Sequence, residues 1–148
     1  MLFLESFLEY CSSRHPAEFP NLPKFDDPEK WQTSREYDIG NGRMDIIIQN
    51  PQEGFICVIE NKVYASEGDD QLMRYGNWLD KHNREFPYSA LCFLTTRGSA
   101  SLPAGNTPYF RLSYQQDIYD WLEDTLPKIQ AQGVNAVVHQ YQAIISKF

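Results

Sequence analysis

Residues 43–62 read RMDIIIQNPQEGFICVIENK, two apolar runs separated by Pro51-Gln52-Glu53-Gly54. Apolar runs joined by a few turn-forming residues are the pattern of a β-hairpin. With Asn50 opposite Phe55, the register places Asp45 opposite Glu60 and Arg43 opposite Lys62. Opposed residues share a face of the sheet, and side chains alternate along each strand. One face is therefore expected to carry Arg43, Asp45, Ile47 and Gln49 with Ile56, Val58, Glu60 and Lys62. The other carries Met44, Ile46 and Ile48 with Phe55, Cys57, Ile59 and Asn61.

This arrangement has an electrostatic cost. Like charges directly opposed across two strands destabilise the pair. Strands so rich in Ile and Val are expected to be covered on both faces, which makes unpaired carboxylates costlier. Lys62, on the face of Glu60, offsets one charge. A hard divalent cation offsets more, since Mg²⁺ is commonly held by one or two carboxylates plus waters and substrate phosphate. The plainer reading of the same residues is a salt-bridge cluster at the end of a sheet.

Upstream of the hairpin, Trp31 to Ile39 has the composition of a strand, and Gly40-Asn41-Gly42 supplies a tight positive-φ turn. The result is a meander of strands at 31–39, 43–50 and 55–63, in which Glu36 and Asp38 read as exposed edge polarity. Downstream the pattern breaks at Ser66-Glu67-Gly68. Asp69 or Asp70 is placed to cap a helix running to His82, with Leu72, Tyr75, Gly76 and Leu79 on its apolar face. Gln71 and Tyr75, four apart, stack on one side of that helix. Tyr88–Thr96 is a continuous apolar run and reads as a buried strand. Arg97–Thr107 is a loop, and Tyr109–Ser113 a short last strand. A helix between two strands is the crossover of a parallel pair, so the fold class is α/β with a mixed sheet. Further helices are expected at 2–11, through Leu4, Phe7, Leu8 and Cys11, and at 116–126. A last helix begins at Val134, with Val137, Val138, Tyr141, Ile144 and Ile145 facing the domain or a partner. The first helix begins at Met1 without a capping residue, which points to more chain upstream. His15, His82 and His139 read as surface residues.

At 148 residues the chain has the size of one domain, 1–148. Hydrophobic and charged contents of 42% and 22% are those of an ordinary soluble protein. No apolar run approaches the ~20 residues that span a bilayer, and the start is too short and acidic for a signal peptide. Three cysteines without metal-ligand spacing read as buried free thiols of a reducing cytosol. A net charge of −7 argues against broad polyanion binding. It does not exclude a local basic strip, but no basic stripe marks a duplex track: Arg35, Arg43, Lys62, Arg74 and Arg97 could gather near the site, and each read singly is an ordinary surface charge. Gly-rich phosphate loops, HExxH, GxSxG and CxxC are all absent.

Asp45 on one strand, then Glu60-Asn61-Lys62 on the next, resembles the D…(D/E)xK signature of the PD-(D/E)XK nuclease superfamily. The context is IGNGRMDIII, then VIENKVYASEGDDQLMRYGNWL, then an apolar strand ending LTT; the resemblance covers roughly 35–122. It implies a restriction-endonuclease-like core and metal-dependent hydrolysis of nucleic acid, with DNA the first expectation. By the same resemblance Asp45, Glu60 and the main-chain oxygen of Asn61 bind Mg²⁺ or Mn²⁺, and Lys62 orients the attacking water. Gln71 and Tyr75 match a QxxxY motif that leans over the site toward water or phosphate. Met44 stands where the family usually has proline. A further glutamate that the family often supplies from an N-terminal helix has only Glu5 and Glu9 as counterparts. The expected partners are nucleic acid and a homodimer or larger complex; the alternative reading is a catalytically inactive module of the same fold, a protein- or nucleic-acid-binding scaffold that is one part of a longer chain or complex. A third is a hydrolase of a smaller phosphorylated compound.

Overall fold

The computed structural model describes residues 1–64, 70–101 and 104–148. β1 (Gln32–Asp38), β2 (Arg43–Asn50) and β3 (Phe55–Lys62) form an antiparallel meander. β4 (Tyr88–Thr95) and β5 (Phe110–Ser113) extend it in parallel, giving a five-stranded mixed sheet in sequence order. The hairpin register is the expected one, with Asn50 opposite Phe55 and Ile46 opposite Ile59. Its connection is one turn of 3-10 helix, Pro51–Glu53, followed by Gly54 in the left-handed region at φ 65°. Asn50 Oδ1 accepts from Glu53 N–H and closes the turn. Gly40 turns β1 into β2 at φ 88°.

Helices cover both faces of the sheet, as the Ile-rich strands require. α2 (Gln71–Lys81) is the crossover between β3 and β4. Its Leu72, Tyr75 and Leu79 pack on Ile47, Ile56, Val58, Leu91 and Phe93. The opposite face packs Ile48, Phe55, Cys57, Ile59 and Cys92 against α1 (Leu2–Arg14), α3 (Tyr119–Thr125) and α4 (Gln132–Ile145). All three cysteines are buried and free. β1 is an exposed edge strand.

Several sequence expectations are corrected by packing. The first helix runs three residues beyond Cys11 to Arg14, and Ser6 and Tyr10 join its buried face. The helix expected from Gln116 begins as a π-helical turn, Tyr114–Ile118, before α3. There Asp117 Oδ2 accepts from both the N–H and the hydroxyl of Ser113, which itself receives the N–H of Gln116 and Asp117. The last helix begins two residues before Val134 and divides its apolar residues. Val138 and Ile145 are buried, whereas Val137, Tyr141 and Ile144 are exposed. His15 is half-buried against the Phe110 ring at 4.9 Å. His82 stacks on Trp78 at 3.9 Å at the end of α2. Asp70 occupies the N-cap position of α2 but makes no capping hydrogen bond with its side chain. The expected break at 66–68 and the alternative cap Asp69 lie outside the described residues.

Gly54 is constrained twice, because a Cβ there would lie 2.8 Å from Pro87 Cδ in addition to the left-handed backbone. Gly54→Ala is expected to destabilise the protein by about 1–2 kcal/mol. The change would be read as a lower urea midpoint with an unchanged slope; an unaltered midpoint would contradict the turn's role.

Candidate active site

Asp45 stands where the β-ladder gives way on both sides. Toward β3, backbone pairing stops at Ile46–Ile59, one step short of the Asp45–Glu60 pair expected from the register. Toward β1, pairing skips Glu36 and Asp45 and resumes at Tyr37–Met44 in the same register, so no residue is inserted. Glu36 has φ 53°, a conformation that costs a non-glycine residue strain. One consequence corrects the expected alternation. Met44 packs on the α2 face with Ile47, not on the face of Ile46. The backbone turns at Asp45, and the period of two fails across it.

The carboxylate fills the gap this creates. Asp45 Oδ2 accepts from the main-chain N–H of Asn61 at 2.8 Å. A side-chain acceptor therefore replaces the ladder beside Glu60. Asp45 and Glu60 are not a backbone pair, but they are close enough for the Asp45 charge to act on Glu60.

Glu60 is fully buried on the α2 face. Lys62 Nζ lies 3.0 Å from Oε1, so the expected ion pair forms. The Lys62 ammonium and the Tyr75 hydroxyl both lie against the carboxyl, yet among the described residues neither carboxylate oxygen meets a donor in hydrogen-bond alignment. Burial holds the Glu60 carboxyl above its ordinary value, Lys62 opposes that rise, and the Asp45 charge adds to it. The ion pair thus offsets only part of the cost of a buried anion.

α2 brings the next two residues over the same place. Tyr75 is fully buried. Burial first, then the Glu60 charge, push its phenol well above the ordinary value. A tyrosine hydroxyl has one proton to give, and Tyr75 gives it to the Arg43 carbonyl at 2.6 Å. Gln71 Nε2 donates to the Tyr75 hydroxyl at 3.5 Å. The Gln71–Tyr75 pair therefore links the start of α2 to the start of β2, beside Glu60. Arg74, one position before Tyr75, is tied to the Asn41 carbonyl at 2.6 Å. Arg97 donates to the Phe148 carbonyl, and Arg35 and Arg43 are exposed. Of these basic residues Lys62 is the one seated on a site carboxylate among the described residues.

The other face of β3 holds a contact that sequence reasoning did not find. Asn61 Oδ1 accepts from the Tyr114 hydroxyl at 3.0 Å. Burial, with Tyr141 beside it, pushes the Tyr114 phenol up to about 12, so the hydroxyl keeps its proton near neutrality. A signal was present, since asparagine is depleted in strands and here was expected on an apolar face. The partner, 53 positions away in the chain, had none.

A family model described as the PD-(D/E)XK nuclease superfamily matches residues 2–148. The chain belongs to that superfamily. Its mixed sheet with flanking helices is accordingly a restriction-endonuclease-like α/β fold. No curated protein and no solved structure matches the chain. Nucleases of the PD-(D/E)XK superfamily generally use divalent metals and act on nucleic acid. Among the described residues no helix is long and apolar enough to cross a membrane.

The donor set fits a hard cation. Two carboxylates and a main-chain carbonyl are oxygen donors, and the Glu60 oxygens lack aligned hydrogen-bond donors among the described residues. No group of three or more His, Cys, Asp or Glu gathers as a ligand set among the described residues. A cation here would complete its shell with water and phosphate, which suits Mg²⁺ and Mn²⁺ rather than a closed zinc centre.

The raised Glu60 carboxyl makes a signed prediction for the protein without metal. A glutamate that titrates higher when folded stabilises below its unfolded value and loses that contribution as pH rises through its folded value. Glu60→Gln removes the loss. Its stability relative to wild type is expected to improve as pH rises from about 4, as measured by urea unfolding across a pH series. A deficit that grows as pH rises would mean that Glu60 holds the fold together as an anion.

Proposed function

We propose that the protein is a metal-dependent nuclease hydrolysing phosphodiester bonds of nucleic acid, with DNA the first substrate to test. The observation that carries this reading is the fully buried Glu60, whose carboxylate oxygens lack aligned donors beside the Asp45 carboxylate and the Lys62 ammonium. Membership of the superfamily supports it.

Asp45, Glu60 and the main-chain oxygen of Asn61 are the groups that would hold Mg²⁺ or Mn²⁺. The ion would supply Lewis-acid polarisation of a phosphoryl oxygen and acidify the attacking water. Asp45 is suited to sharing, since Oδ2 is engaged by the Asn61 N–H and Oδ1 is the other oxygen. Lys62 is three donors on a flexible stem. It can keep one on Glu60 and turn another toward the incoming water and the negative charge that grows on the phosphate. Tyr75 and Gln71 fix the start of β2 against α2, and Gln71, at the helix start, would contact substrate phosphate. In the hydrolysis, the water oxygen forms the new bond to phosphorus and the ester oxygen departs with a proton.

The test combines activity with binding. Wild type is expected to cleave DNA or RNA in a panel of single and double strands with Mg²⁺ or Mn²⁺. Lys62→Ala should lose about 10²-fold or more, and Glu60→Gln should be inactive. Metal at a hundred times its Kd should stabilise wild type by about 2.7 kcal/mol and leave Glu60→Gln unmoved in a thermal shift. Equal shifts in wild type and Glu60→Gln, with no cleavage, would favour the non-catalytic module. Cleavage confined to small phosphorylated compounds would favour the third reading.

A further inference from the structure

Asn61 is gripped at two points, and the two grips lie on different sides of its backbone. Its N–H goes to the Asp45 carboxylate in the plane of the sheet. Its side chain points to the face away from Glu60, toward α1, α3 and α4, and meets the Tyr114 hydroxyl at 3.0 Å. Tyr114 is the first residue of the π-helical turn that leaves β5. That turn is locked by the reciprocal Ser113–Asp117 bonds, and Asp117 in turn receives the Tyr10 hydroxyl of α1. The phenol therefore stands on a braced support, and π-turns of this kind often occur at functional sites.

The support matters because β3 has lost part of its own. Beyond Ile59 it has no backbone partner in β2, and it continues to Lys62 only through the parallel bonds to β4. The residue that replaces the β2 ladder is Asp45, itself one of the groups assigned to the cation. An anchor made by a metal ligand must share its electrons with the metal. Tyr114 is an anchor that need not.

We propose that Tyr114 is a positioning residue of the cation site, acting through the Asn61 side chain to set the Glu60-Asn61-Lys62 backbone from behind. This rests on the nuclease reading above. Outer-shell partners of metal ligands typically change affinity by tenfold or more. The Tyr114–Asn61 bond is one step removed from the ligating oxygens of Glu60 and of the Asn61 main chain, so the lower end of that range applies.

The test is Mn²⁺ titration calorimetry on wild type, Tyr114→Phe, Asn61→Ala, their double variant and Glu60→Gln. Tyr114→Phe is expected to weaken Mn²⁺ about tenfold, with the metal-free Tm falling by no more than about 4 °C. Asn61→Ala keeps the main-chain oxygen and should weaken Mn²⁺ to the same degree. The double variant should be no weaker than Asn61→Ala alone, because the hydroxyl acts through that side chain. An unchanged Kd in Tyr114→Phe, or effects that add in the double variant, would overturn the proposal. Should Tyr114→Phe not fold, Asn61→Ala decides alone: about tenfold weaker binding supports the proposal and an unchanged Kd overturns it. Glu60→Gln separates the two readings. Binding lost there but retained in Tyr114→Phe sinks only the positioning role, whereas wild type and Glu60→Gln binding alike, or not at all, sinks the nuclease reading with it.

Discussion

The bond between the Asp45 carboxylate and the Asn61 N–H is the constraint on which the rest of the site depends. A buried strand cannot leave its N–H groups unpaired without a cost of kilocalories per mole. Where β2 parts from β3, one side chain of the right length and charge takes over the ladder's task. The exchange opens a gap between two strands without exposing a bare backbone, and it puts an anion in that gap. Every other polar group near the end of β3 can be understood as a response to that anion and to its neighbour Glu60.

Those responses divide between the faces of the sheet. On the α2 side the problem is charge: Glu60 is fully buried, Lys62 neutralises it in part, and the Tyr75 hydroxyl lies against it while donating to the Arg43 carbonyl. On the α1, α3 and α4 side the problem is position, and Tyr114 meets it by holding the asparagine between the two charged residues. The apolar cores beneath, one on each face, are ordinary close packing. Their contribution is rigidity. A buried ion pair does little for stability and is more reasonably kept for what it can bind.

Much of this was legible in the chain because it is local or periodic. The hairpin register followed from two apolar runs and a four-residue turn, and the crossover helix followed from Gln71 to His82 at helical spacing. The group Asp45, Glu60 and Lys62 followed from the register once the strands were paired. What period two could not show was its own failure at Asp45, since an exposed Glu36 at positive φ leaves no mark in composition. Met44 was misplaced for that reason. Tyr114 was missed because a phenol meets an amide across 53 residues only after the sheet and three helices have assembled. The final helix was half right, because one apolar pattern served both a buried and an exposed face.

The account is tested most directly by locating a cation. Crystals of the protein grown with Mn²⁺, measured at the manganese absorption edge, should show one anomalous peak within coordination distance of Asp45, Glu60 and the Asn61 carbonyl. A peak found only elsewhere would contradict it.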